Sequence, residues 1–101
     1  MTINGQDGDD IIFGTSGRDA IFGGDGNDRL FGGDGNDLLS GGNGKDVLHG
    51  GKDGDVLIGS GQGDVLNGDA GDDLLVPGSG DVVTDTEGSN QYGLPQPPRV
   101  F

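Results

Sequence analysis

A period of nine residues runs through most of this chain, and few sequence features restrict a fold more tightly. Eight consecutive nonapeptides follow one another from residue 5 to residue 76 without an insertion, opening on Gly5, Gly14, Gly23, Gly32, Gly41, Gly50, Gly59 and Gly68. The sixth position is always aspartate: Asp10, Asp19, Asp28, Asp37, Asp46, Asp55, Asp64 and Asp73. The eighth is always aliphatic: Ile12, Ile21, Leu30, Leu39, Leu48, Leu57, Leu66 and Leu75. A biased composition scatters Gly and Asp along a chain; it does not hold three positions in phase through eight units.

Each unit divides into a turn and a strand. Positions one to six are rich in Gly and Asp, residues that suit tight turns and positive φ. Along the strand half, side chains alternate between faces, so position eight points inward and positions seven and nine outward. One nonapeptide cannot bury its single aliphatic side chain alone. Strand, turn, strand, turn closes a coil in 18 residues. The spacing therefore predicts an all-β, two-sheet solenoid of about four coils, with odd units stacked on odd and even on even at about 4.8 Å. Residues 1–4 are a lead-in and 5–76 the repeat body. Residues 77–101 hold a degenerate ninth repeat, in which Asp81-Val82-Val83 falls one residue out of step, then a cap and an irregular tail with Pro95, Pro97 and Pro98.

The composition alone, with 25 Gly, 29% hydrophobic residues and a formal charge of −13 in 101 residues, reads as a disordered acidic segment. The period overrules that reading, but the charge keeps its meaning. Eighteen Asp and Glu against five Lys and Arg exclude nucleic acid and favour cations. With no Cys there is no disulfide and no thiolate site, which leaves bound metal as a remaining way to stabilise a small domain. No stretch is apolar enough to span a bilayer, and Met1-Thr2-Ile3-Asn4 lacks the regions of a cleavable secretory signal.

Stacking the units places the aspartates in two columns. Like charges one above another repel, and eight aliphatic side chains are a thin core to set against that. The same columns suit a hard cation, since Ca²⁺ takes six to eight oxygen ligands at roughly 2.3–2.6 Å. The odd units pair Asp10 with Asp28, Asp28 with Asp46 and Asp46 with Asp64. The even units pair Asp19 with Asp37, Asp37 with Asp55 and Asp55 with Asp73. Up to six Ca²⁺ ions in these gaps would nearly offset the net charge of −13, so binding and folding are expected to be one event. Oxygen-only ligation argues against Zn²⁺ and Cu²⁺, and Mg²⁺ prefers to keep its waters.

Other chemistry finds no support. His49, the lone histidine, sits at an outward ninth position. Lys45 and Lys52 follow glycines, but neither is followed by Ser or Thr as a phosphate loop requires. No G-x-S-x-G or H-E-x-x-H is present, and the carboxylates lack the aromatic surroundings of a glycosidase pair. The outward positions of the even units, Ala20, Phe22, Leu38, Ser40, Val56, Ile58, Leu74 and Val76, form an apolar strip suited to self-association or to docking another domain.

Units such as Gly23-Gly24-Asp25-Gly26-Asn27-Asp28-Arg29-Leu30-Phe31 and Gly32-Gly33-Asp34-Gly35-Asn36-Asp37-Leu38-Leu39-Ser40 resemble the RTX (repeats-in-toxin, haemolysin-type) nonapeptide, G-G-x-G-x-D-x-(aliphatic)-x, over residues 5–76. The resemblance implies a right-handed parallel β-roll, extracellular residence, and export by a type I secretion system through an uncleaved C-terminal signal, for which Val100-Phe101 is a candidate ending. It also implies backbone-carbonyl ligands, from the first and third positions of one turn and the second and fourth of the turn stacked on it. In the best-formed units these are Gly23, Gly24, Asp25, Gly26, Gly32, Gly33, Asp34, Gly35, Gly41, Gly42, Asn43 and Gly44. Gln6, Thr15, Ser60 and Asp69 replace the second glycine, and Asp53 and Gln62 the fourth, so turns near Gly59 are expected to bind most weakly. The function expected is a Ca²⁺-responsive structural module of a secreted protein, without catalysis. The alternatives are an adhesion or interaction solenoid, or the detached C-terminal module of a larger secreted enzyme or toxin.

Overall fold

The computed structural model describes residues 1–61, 63–83 and 91–92; the Pro-rich tail with Val100 and Phe101 lies outside the described residues. Among the described residues there are eleven short strands: β1 (Thr2–Asn4), β2 (Ile11–Phe13), β3 (Ala20–Phe22), β4 (Arg29–Phe31), β5 (Leu38–Ser40), β6 (Val47–His49), β7 (Val56–Ile58), β8 (Val65–Asn67), β9 (Leu74–Val76), β10 (Val82–Val83) and β11 (Gln91–Tyr92). There is no helix among the described residues, and so none long and apolar enough to cross a membrane. The strands form two parallel sheets, one in the order β1-β3-β5-β7-β9-β11 and the other β10-β8-β6-β4-β2. The chain is a β-solenoid of about four coils.

The register is that of the period. Leu30 lies opposite Leu48, and Leu39 opposite Leu57. Three-residue strands are short, but the ladder continues at both ends of each. Arg29 N–H donates to Asp10 O and Val47 N–H to Asp28 O, while Gly23 N–H donates to Ser40 O. The backbone is thus paired into the turns, as buried amides require.

Position eight builds the core. Ile21, Leu30, Leu39, Leu48, Leu57, Leu66 and Leu75 are fully buried between the sheets, with Ile3, Ile12 and Val83 packed against them. Both ends of this column extend past the regular units. Ile3 in β1 lies opposite Ile21, so the lead-in already forms a strand. At the other end Val83 lies opposite Leu66 and Tyr92 opposite Leu75, each 17 residues on rather than 18. The out-of-step ninth unit therefore returns to register by shortening its turn.

The outward faces differ. On the sheet of β2, Phe13 stacks on Phe31 (ring centroids 4.8 Å apart) and Phe31 on His49 (5.1 Å), a column of flat rings along position nine. His49 Nδ1 also lies 3.7 Å from Asp69 Oδ2. After Met1, the largest apolar exposures sit at the edge strand β2, with Phe13 68% and Ile11 63% exposed, whereas Phe22 and Leu74 of the even strip are 36% and 37% exposed.

Candidate metal centre

The turns obtain their shape from backbone that only some residues tolerate. In the central units the second and fourth glycines take positive φ, as at Gly24 (89°), Gly26 (105°), Gly42 (85°) and Gly44 (97°). Where glycine is missing, Gln6, Ser60 and Asp69 in the second slot and Asp53 in the fourth still hold φ between 55° and 72°. The stacking imposes this conformation on residues that would not choose it.

The aspartate columns are continuous. The backbone N–H of Asp10, Asp19, Asp28, Asp37, Asp46 and Asp55 donates to Oδ1 of Asp28, Asp37, Asp46, Asp55, Asp64 and Asp73 respectively, at 2.8, 2.8, 2.8, 2.8, 2.7 and 2.8 Å. One carboxylate oxygen therefore ties each coil to the coil before. The other is left over: Oδ2 of Asp10, Asp28, Asp37, Asp46, Asp55 and Asp64 is buried without a hydrogen-bond partner.

Burial makes these carboxyls reluctant to ionise. It pushes Asp37 and Asp64 up to about 6, Asp46 up to about 7 and Asp55 up to about 8, and raises Asp28. The N–H bond accepted from the preceding coil opposes the rise, and neighbouring carboxylates in the column add to it.

At the first glycine of several units the leftover Oδ2 and a carbonyl oxygen of the next coil crowd the same Cα. A methyl carbon placed on Gly23 would lie 2.6 Å from Asp28 Oδ2 and 2.7 Å from Gly41 O; on Gly32, 2.6 Å from both Asp37 Oδ2 and Gly50 O; on Gly5, 2.7 Å from Asp10 Oδ2 and 2.8 Å from Gly23 O. Only glycine fits a first position with oxygens this close. The carbonyls of the second and fourth positions face the same positions of the next coil: Gln6 O faces Gly24, Gly24 O faces Gly42, Gly8 O faces Gly26 and Gly26 O faces Gly44. Gly17 O likewise faces Gly35 and Thr15 O faces Gly33, while Gly33 O accepts Lys52 N–H at 3.2 Å. The stacked turns thus bring carboxylate and carbonyl oxygens close together, a donor set that fits Ca²⁺. Asp25, Asp34 and Asn43 at the third position are exposed, and Asn43 Nδ2 donates to Asp25 Oδ1 at 2.9 Å.

Asp19 departs from its column. Its Oδ2 accepts Thr15 N–H at 2.7 Å, and Thr15 Oγ1 lies 2.9 and 3.1 Å from its two oxygens. The Thr15 N–H bond is the main cause holding this carboxyl below its usual range. Thr15 and Gly17 do not take positive φ, so the turn folds onto its own aspartate.

Two features escaped the sequence reading. Asp81 joins the odd column, since its Oδ1 accepts Asp64 N–H at 2.8 Å; the signal was the shortened Asp-Val-Val. The fifth position forms a second ladder running the other way, in which Asp9, Asn27 and Asn36 accept the N–H of Asn27, Lys45 and Gly54 one coil on, at 2.8, 2.8 and 2.9 Å. Asp or Asn at position five was its trace in the sequence.

The chain matches the family model described as the RTX calcium-binding nonapeptide repeat (4 copies) over residues 2–21, 22–57 and 49–83. No curated protein and no solved structure matches it. The family match takes in nearly all the coils whose turns carry these oxygens, and the chain accordingly belongs to the RTX calcium-binding nonapeptide repeats and is a calcium-binding β-roll.

Proposed function

We propose that this β-roll is a structural module of a secreted protein, one that folds as its turns take up Ca²⁺ outside the cell. The observation that carries the reading is the set of six buried Oδ2 atoms, on Asp10, Asp28, Asp37, Asp46, Asp55 and Asp64, that no protein donor reaches. A buried carboxylate without a partner is costly, and a column of them more so. Ca²⁺ supplies the missing positive charge to several oxygens at once.

The aspartates of the two columns are the proposed side-chain ligands. Asp28, Asp46 and Asp64 serve the odd gaps, with Asp10 at their start; Asp37, Asp55 and Asp73 serve the even gaps. Carbonyls of the glycine-rich turns, Gly23, Gly24, Gly26, Gly41, Gly42 and Gly44 among them, complete the sets. The Thr15 contacts leave Asp19 the least available member. In this reading residues 5–76 form the binding body and 77–101 a closing unit and tail. In a low-Ca²⁺ cytosol the carboxylates repel and the chain stays open for type I export; outside, the columns close. Modules of this family are structural as a rule, and the chain's residues orient and neutralise rather than catalyse.

Far-ultraviolet circular dichroism during a Ca²⁺ titration tests this, with Mg²⁺ as the control. A cooperative gain of β structure with Ca²⁺ alone is expected, in the ~10⁻⁴–10⁻³ M range of extracellular modules. A spectrum unchanged up to about 10 mM, well beyond that range, would rule the coupling out.

A further inference from the structure

Asparagine followed by glycine is a self-reactive step in a polypeptide. With no Cβ on the glycine, its amide nitrogen reaches the asparagine side-chain carbonyl carbon with little hindrance and displaces ammonia. The chain has three such steps: Asn4-Gly5, Asn43-Gly44 and Asn67-Gly68. The fold puts them in different settings.

Asn4 and Asn67 end strands β1 and β8. Each turns its Oδ1 back on the main chain, where it accepts Gln6 N–H and Asp69 N–H respectively, both at 3.0 Å. Such an Asx turn fixes the side-chain amide. The attacking nitrogens are restrained as well. Gly5 N–H donates to Phe22 O at 2.8 Å, and Gly68 is buried.

Asn43 has neither restraint. It stands at the third position of its turn, and both it and Gly44 are exposed. Gly44 N–H donates to no acceptor among the described residues. The Asn43 side chain is held there by one hydrogen bond, from Nδ2 to Asp25 Oδ1 at 2.9 Å on the coil before. Asn27 and Asn36 are exposed too, but each precedes an aspartate and keeps its Oδ1 on a neighbouring coil's N–H, of Lys45 and Gly54.

We propose that Asn43-Gly44 is a deamidation site of the folded roll, restrained by Asp25, while the same fold protects Asn4 and Asn67. The Gly44 nitrogen gives up its proton and bonds to Cγ of Asn43. The Cγ–Nδ2 bond breaks, and Nδ2 leaves as ammonia with that proton. Water then opens the five-membered imide at one of its two carbonyls, giving aspartate or isoaspartate. Aspartate is what Asp25 and Asp34 already place at the third position of their units, so that product keeps the turn. It replaces the Asn43–Asp25 hydrogen bond with two facing carboxylates. Isoaspartate adds a methylene to the main chain just before Gly44, whose φ of 97° belongs to the stacked turn.

The test incubates the Ca²⁺-loaded chain at mildly alkaline pH, with circular dichroism reporting its β structure, beside a sample kept unfolded in urea and chelator. Peptide mass spectrometry follows conversion at each asparagine. In the folded chain Asn43 is expected to convert about fivefold or more faster than Asn4 and Asn67, the effect of one hydrogen bond on each protected step. In the unfolded chain the three rates should converge. Asp25→Ala, which keeps the backbone carbonyl, should speed conversion at Asn43 by about two- to tenfold. Equal rates at the three steps in the folded chain would overturn the proposal. So would the same order in folded and unfolded chains, since the order would then belong to local sequence. An unchanged rate in Asp25→Ala would overturn the restraint. A chain without β structure in Ca²⁺ would overturn the proposal too, because protection of Asn4 and Asn67 needs the stacked coils; a chain that folds without Ca²⁺ tests it independently of the calcium reading.

Discussion

A single aspartate in these columns does two jobs with two oxygens. Asp46 Oδ1 accepts Asp28 N–H, which holds neighbouring coils together, and Asp46 Oδ2 is buried without a partner. The two jobs separate under substitution. Asp46→Asn keeps the first and removes the charge of the second, so it is expected to weaken Ca²⁺ binding on the order of tenfold or more, because ligand charge sets affinity in such sites. In the absence of Ca²⁺ the sign reverses: the variant loses a buried, repelling carboxylate and becomes the more stable fold. Calorimetric titration and metal-free urea melts read the two effects independently. Asp46→Ala behaves differently, since it strands the Asp28 amide at a cost of about 1–3 kcal/mol in either state. Both roles follow from the Asp at position six, but the division between oxygens was not legible in the sequence. It depends on where the amide of the coil before arrives.

At the scale of the element, the turns and not the strands carry the strain. Gly42 adopts φ 85°, and a methyl carbon there would lie 2.5 Å from Gly24 O. Ser60 occupies the corresponding slot of its own unit at φ 55°, a conformation that costs an ordinary residue roughly 1–2 kcal/mol. Ser60→Gly should therefore raise the stability of the Ca²⁺-loaded protein by about 1 kcal/mol. Gly42→Ala should lower it by more than that, because a clash is added to the strain. Thermal melts at saturating Ca²⁺ compare the pair. The sequence marked Gln6, Ser60, Asp69 and Asp53 as departures, and the fold holds all four at positive φ regardless. Thr15, marked in the same way, takes another course. Its hydroxyl and amide turn to Asp19, which a repeat pattern does not reveal because it is a contact within one unit.

Across the whole molecule the carboxyl columns set a pH dependence. Burial raises the carboxyls of Asp37, Asp46, Asp55 and Asp64 from 3.8 to between about 6 and about 8. Between the ordinary value of 3.8 and these raised values the metal-free folded chain binds more protons than the unfolded chain, so its stability falls as pH rises through that range and recovers as pH drops. Without Ca²⁺, β structure measured by circular dichroism is expected to increase on acidification from pH 8 toward pH 5, and Ca²⁺ uptake near pH 7 to release protons. Loss of β structure over that descent would contradict the burial argument. The outward faces are small by comparison. Five strands of three residues span a projected area of about 240 Å² on the even side, against about 800 Å² per partner in a standard interface. The apolar strip is thus too small to make a standard interface by itself. By itself the sequence determined whatever repeats: the two sheets, the coil length, the aliphatic column and the two columns of aspartate, because a strict period leaves one way to bury position eight. Only the tertiary structure decided the exceptions. Ile3 starts the core before the first unit, Thr15 occupies Asp19, and Asp81 enters the odd column 17 residues after Asp64. The last of these follows from packing between coils, since a short turn that keeps Val83 on Leu66 preserves more burial than one that keeps the count of nine.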